Sequence, residues 1–151
     1  IKEVTFEKTV YNDIPFKYEA GTPNIGGAVG LAAAIRYVSG LGLDNIAAHE
    51  QKLTDMAVEG LKAMPRLTVL APDVPHSAVV SVLAGGIHHY DLGTLLDQMG
   101  IAVRTGHHCC QPLMCALGTT GTTRASFALY NTEEEVQTFL KSMNRALDML
   151  S

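Results

Sequence analysis

Pro65 divides this chain between two hydrophobic periods, and that division limits the folds open to it. Ahead of it, from about Asp44 to Met64, the residues Ile46, Leu53, Met56, Ala57, Leu61 and Met64 fall on one face. Glu50, Lys52, Asp55, Glu59 and Lys62 fall outside that face, so an amphipathic helix is predicted, and the proline stops it. Beyond Pro65, residues 67–70 and 78–84 are β-branched and apolar, with the turn-rich stretch 71–77 between them. Two neighbouring antiparallel strands are expected there.

The remaining elements follow from the same signals. A Gly- and Ala-rich helix runs from Ile25 to about Val38 and is ended by Gly40 and Gly42. A short helix from about Tyr90 to Met99 is ended by Gly100, and strands are expected over 101–104 and 122–130. A helical turn follows Pro112 as far as Leu117. Asn131 or Thr132 caps the last helix, with Glu135 completing a capping box after Thr132. Its buried stripe is Val136, Phe139, Leu140, Met143, Leu147 and Leu150. The order α-α-β-β-α-β-β-α is an α+β fold, a short antiparallel or mixed sheet with helices on one face. Among 151 residues 47% are hydrophobic and only 6% aromatic, which suits one core of helices on a small sheet and excludes disorder, collagen and coiled coil. Residues 1–24, with Pro15 and Pro23 and one short strand near Val4 to Phe6, read as an extended linking arm, and 25–151 as the domain.

The net charge of −4 and the lack of any Lys/Arg run leave no electrostatic footprint for nucleic acid or an anionic membrane. A small-molecule or protein partner is expected instead. No apolar stretch reaches the ~18 residues of a membrane span, and the first seven residues are too polar for a signal peptide. A soluble, cytoplasmic protein is the expectation. The start at Ile1 without an initiator Met hints at a piece of something longer.

Chemistry concentrates in residues 104–114, Arg-Thr-Gly-His-His-Cys-Cys-Gln-Pro-Leu-Met, where the hydrophobic pattern breaks between a strand and a short helix. A thiol acts as a nucleophile only as thiolate, and a loop holding Arg104, His107 and His108 favours that form, so Cys109 or Cys110 is a candidate nucleophile. A zinc site is the competing reading, but four consecutive ligand types do not easily close one tetrahedron and no second Cys/His cluster exists. A loop with chance cysteines is the third, and Cys115 belongs to the same group of three. Arg124, inside an otherwise apolar strand, needs an anion: either a substrate carboxylate held bidentately or one of the chain's own acids. Gly21-Thr22-Pro23-Asn24 at the entry to the first helix offers backbone N–H groups and a hydroxyl to a phosphate, although such a stretch is usually only a cap. His88 and His89 read as capping or surface residues, and His49 and His76 as surface residues.

Taken in order, Gly21-Thr22-Pro23-Asn24, Arg104-Thr105-Gly106-His107-His108-Cys109, Gln111-Pro112-Leu113-Met114 and the run from Arg124 to Thr132 resemble the C-terminal part of the group II (SufS/CsdA-type) cysteine desulfurases. These are pyridoxal-phosphate enzymes of aminotransferase class V, and the resemblance covers essentially the whole chain. It implies the small C-terminal domain of a fold-type I enzyme. It implies that Cys109 is the persulfide-forming nucleophile, that Arg124 holds the substrate α-carboxylate, and that Arg104 and His108 line the same pocket. Thr22, with the Gly21 backbone, would reach the cofactor phosphate of the partner subunit, so a homodimer is implied. L-cysteine is the implied substrate, with a SufE/SufU-like protein as sulfur acceptor in iron–sulfur cluster assembly; selenocysteine is the alternative substrate. The family's cofactor lysine follows a histidine, and none of Lys2, Lys8, Lys17, Lys52, Lys62 and Lys141 does. The chain alone is therefore expected to be catalytically silent, and a non-catalytic persulfide carrier or acceptor-docking module is the reading from a different class.

Overall fold

A computed structural model describes residues 1–150 of the chain. Two compact units are present, Ile1–Gly42 and Leu43–Ser151. In the first, strands β1 (Glu3–Val4) and β2 (Thr9–Val10) form a small antiparallel hairpin, with Glu3 opposite Val10. A 3₁₀ turn at Phe16–Tyr18 leads to helix α1 (Ile25–Leu41). Asn24 caps α1 by accepting the Gly27 N–H at 3.0 Å, and Gly42, at φ 88°, ends it in a conformation that costs glycine nothing. No residue of α1 is buried, so this helix clusters with the arm rather than with the layer that follows.

The second unit carries the core. Helix α2 (Leu43–Lys62), strands β3 (Leu67–Val69) and β4 (Val79–Ala84), helix α3 (His89–Gln98), strand β5 (Arg104–Gly106), helix α4 (Gln111–Ala116), strand β6 (Thr122–Ser126) and helix α5 (Glu133–Met149) follow in order. The sheet has the order β3-β4-β6-β5 and every pairing is antiparallel. Alternation along the strands sends Leu67, Val69, Val80, Val82 and Ala125 into the helices, where they join Leu53, Leu61, Leu92, Leu96, Val136 and Met143 in one buried cluster. Fully burying each such side chain contributes about 1.5–3 kcal/mol.

Two expected strand boundaries move, each for a physical reason. The strand over 101–104 lies instead at Arg104–Gly106, because the residues ahead of Arg104 run beside β6 without joining its ladder. The strand over 122–130 ends at Ser126: the Asn131 side chain takes the Ala128 N–H at 2.9 Å and the Asn131 N–H returns to the Ala128 carbonyl, which turns the chain. On α2 the fully buried face is Leu53, Thr54, Ala57, Val58 and Leu61, with Met56 half-buried against the same core. His49 and His76 are half-buried rather than surface residues, since the His49 ring meets the Asn131 carbonyl at 2.9 Å and the His76 ring the Val79 carbonyl at 3.2 Å. The capping box of α5 forms as expected, with Thr132 and Glu135 satisfying each other's backbone N–H. Among the described residues no single helix is long and apolar enough to cross a membrane.

Candidate active site

The sheet's register builds the site. In the antiparallel pairing of β5 with β6, Arg104 stands directly opposite Arg124, and Gly106 opposite Thr122. Directly opposed residues share a face, and Thr123 and Ala125, which alternate with Arg124, point into the helices. Both guanidinium groups therefore stand on the sheet face away from the core. Two like charges in register repel, and a sheet that keeps them calls for an anion between or above them. Among the described residues neither arginine forms an ion pair, and the buried Nε of the half-buried Arg124 has no hydrogen-bond partner. The structural ion pair considered for Arg124 is not formed.

Beyond Gly106, at φ 111°, the chain leaves β5 into the loop that carries the thiols. His108 and Cys109 are consecutive residues in the left-handed region, at φ 52° and 58°, where a non-glycine residue costs on the order of 1 kcal/mol. The surroundings hold that strain. The Cys109 N–H donates to His107 Nδ1 at 3.1 Å and the Cys110 N–H to the His107 carbonyl at 2.8 Å. The His108 Nε2 meets the hydroxyl of fully buried Thr122 at 2.8 Å, which pins the middle of the loop to β6. Downstream, Met114 is buried and anchors α4.

The result is a thiol presented outward. Cys109 is exposed, and an Arg104 guanidinium nitrogen donates to its sulfur at 3.9 Å. Burial holds the His108 imidazole below the ordinary histidine value of 6.5; the Arg124 charge, and to a smaller extent Arg104 and His107, push the same way while the Thr122 hydrogen bond opposes them. His108 is accordingly neutral at pH 7, and its buried Nδ1 has no partner. Cys110 and Cys115 are exposed too, although free cysteine is ordinarily a buried residue type.

Arg104, His108, Cys109 and Arg124 are thus brought together on β5, β6 and their connecting loop. Gly21 and Thr22 lie in the other compact unit, both exposed, with Gly21 at φ 76° and open space where a Cβ would stand. Two contributors escape a reading of the sequence. Thr122 is indistinguishable from any strand threonine until the register places its hydroxyl under His108. Gly121 is the second: a Cβ there would lie 2.5 Å from His89 Nε2 and 2.7 Å from the Gly106 carbonyl carbon, so only glycine lets β5 and β6 close at the root of the loop.

Comparison with known proteins places this chain in a family. The model of aminotransferase class V matches residues 1–139. A probable cysteine desulfurase of Vibrio cholerae is 43% identical over 150 residues, 99% of this chain and 37% of its own length. A cysteine desulfurase of Escherichia coli O127:H6 is 48% identical over 139 residues, 92% of this chain and 34% of its own length. The chain therefore spans about a third of the length of these curated relatives. Among solved structures, the cysteine desulfurase CsdA of Escherichia coli in its S-sulfonic acid form superposes with a TM-score of 0.87 at 37% identity, covering 97% of this chain and 36% of its own. The apo cysteine desulfurase of Thermococcus onnurineus NA1 also gives 0.87, at 43% identity over 98% of this chain and 37% of its own. With its site built from strand register and a strained thiol loop, and with that match over nearly its whole length, the chain belongs to the aminotransferase class V family.

Proposed function

We propose that the chain is the small C-terminal domain of a pyridoxal-phosphate-dependent cysteine desulfurase that takes sulfur from L-cysteine as a Cys109 persulfide and releases L-alanine. The observation that carries this reading is the exposed Cys109 sulfur, in contact with the Arg104 guanidinium and held on a strained loop beside the unpaired Arg124. An α-amino acid brings a carboxylate and a sulfur atom a few bonds apart, and this arrangement offers a fork of donors for the first and a nucleophile for the second.

The residues present fit the cofactor at the entry to α1, where the open backbone of Gly21 and the exposed Thr22 hydroxyl suit a phosphate. Pyridoxal phosphate, when bound, supplies an electron sink for the substrate carbon atoms. Arg124 binds and orients the carboxylate, and Arg104 donates to the attacking sulfur. The Cys109 sulfur bonds to the substrate sulfur as the substrate C–S bond breaks; the electron pair stays with carbon, which gains a proton and becomes the methyl group of alanine. Cys109 keeps the transferred sulfur as a persulfide. None of the chain's lysines follows a histidine, so the covalent cofactor link belongs elsewhere in the assembled enzyme and the separate chain is inactive. A homodimer sharing the Thr22 site, a SufE/SufU-like acceptor, delivery to iron–sulfur assembly and a cytoplasmic setting are parts of the same proposal.

The test joins an intact mass, an absorbance scan for the yellow cofactor and an assay for alanine and, with an added thiol reductant that releases the persulfide sulfur, sulfide from L-cysteine, with selenocysteine alongside. A coloured assembly that releases both products, and a Cys109→Ala variant that keeps the colour and loses the products, are expected. Product release by Cys109→Ala at the parent rate refutes the assignment. The exposure of all three thiols favours one second reading, a persulfide carrier without catalysis of its own, and a mass of 16.1 kDa with no colour supports it.

A further inference from the structure

His107 has no role in the chemistry above, yet both amides that follow it are tied to it. Its side-chain Nδ1 accepts the Cys109 N–H at 3.1 Å and its carbonyl accepts the Cys110 N–H at 2.8 Å. The first of these bonds is the one that a change of side chain can break, because Nδ1 accepts through its ring lone pair. The residue released is the one at φ 58°, next to another at φ 52°. Without the bond, those two left-handed residues relax toward ordinary backbone and carry the Cys109 sulfur away from Arg104.

We propose that His107 is the positioning residue of the thiol loop: its imidazole latches the Cys109 amide and so holds the nucleophile beside Arg104. As a statement about sulfur transfer the latch rests on the desulfurase reading; as a statement about the loop it does not. Turnover alone would mix the geometry of the loop with the chemistry it serves, so the experiment reads the Cys109 amide itself.

Exchange of the Cys109 amide and its 1H–15N resonance are followed at one fixed pH in the intact protein and in His107→Ala and His107→Asn. His107 is exposed, so neither variant disturbs the core. The Asn Oδ1 occupies nearly the position of Nδ1 and accepts the same N–H. The parent amide is expected to be protected. His107→Ala should exchange about tenfold faster, the effect of one hydrogen bond. His107→Asn should keep the parent's protection. Turnover of L-cysteine by the assembled protein should fall about tenfold in kcat for His107→Ala with KM unchanged, and recover in His107→Asn. Unchanged amide protection or unchanged kcat in His107→Ala, or loss of protection in His107→Asn equal to that in His107→Ala, overturns the proposal. An assembled, cofactor-loaded parent protein that protects the amide but never desulfurates L-cysteine refutes the desulfurase reading and leaves the latch standing on the exchange data.

Discussion

Gly121→Ala is the substitution whose cost the structure fixes most directly. The new Cβ would sit 2.7 Å from the Gly106 carbonyl carbon, some 0.7 Å short of the 3.4 Å at which van der Waals contact becomes ordinary. His89 Nε2, at 2.5 Å, belongs to a ring that can swing aside, whereas Gly106 is main chain paired in register with Thr122. Opening that ladder by 0.7 Å removes a hydrogen bond worth about 1 kcal/mol, and forcing a methyl group into a packed site costs typically about 1–3 kcal/mol. A destabilisation of about 2 kcal/mol is expected, which lowers Tm by about 4–8 °C in a domain of this size. Gly118→Ala is the control. Gly118 sits at φ 66° with nothing within 4 Å of a Cβ, so it carries backbone strain of about 1 kcal/mol and no clash. Thermal unfolding by far-UV circular dichroism compares the two, and the same samples are assayed for sulfur release, which Gly121→Ala should slow because Gly106 directly precedes His107. A Tm for Gly121→Ala within about 1 °C of the parent, or a Gly118→Ala cost equal to it, would refute the close-approach argument.

Removing Arg124 should separate a ligand-binding charge from a structural one. Because Arg124 faces Arg104 in register and has no acid partner, Arg124→Gln is expected to leave the unfolding midpoint unchanged or raised, while KM for the carboxylate-bearing substrate rises about tenfold or more; a stability loss above about 1 kcal/mol would show that the arginine is structural. His108 titrates below 6.5 when folded, so the unfolded chain takes up its proton first as the pH falls. Stability from this residue is complete above pH 6.5 and declines as the pH drops from 6.5 through the lower folded value. Urea midpoints between pH 8 and pH 5 should therefore fall less steeply in His108→Gln, with His89, lowered for the same main reason, supplying the remaining slope; equal slopes in the two proteins contradict the assignment.

Local signals placed most elements, because each is decided within a few residues. Thr132 and Glu135 satisfy each other's amides within one turn, and Leu53, Ala57 and Leu61 recur at the helical period, so α5 and α2 are legible without a neighbour. The ends of β5 and β6 are not. Residues 101–103 are as apolar as a strand, yet pairing depends on whether β6 is within reach, and the Asn131 turn, which cuts β6 short, closes through a side chain several residues away. The hairpin of β1 with β2 shows the same limit, since Glu3 and Val10 carry no mark that they will face each other.

The candidate site divides along that line. Residue types at 104–109 and at 124 are enough to name a thiol nucleophile with cationic neighbours, because a charge or a thiolate is a property of one side chain and its immediate sequence. Only the tertiary structure decides that Arg104 stands opposite Arg124, that Thr122 lies under His108, and that the Cys109 amide closes onto His107. Register is set by the packing of a whole sheet face against its helices, and slipping it by one residue would send Arg124 into the core and leave the same sequence with no site.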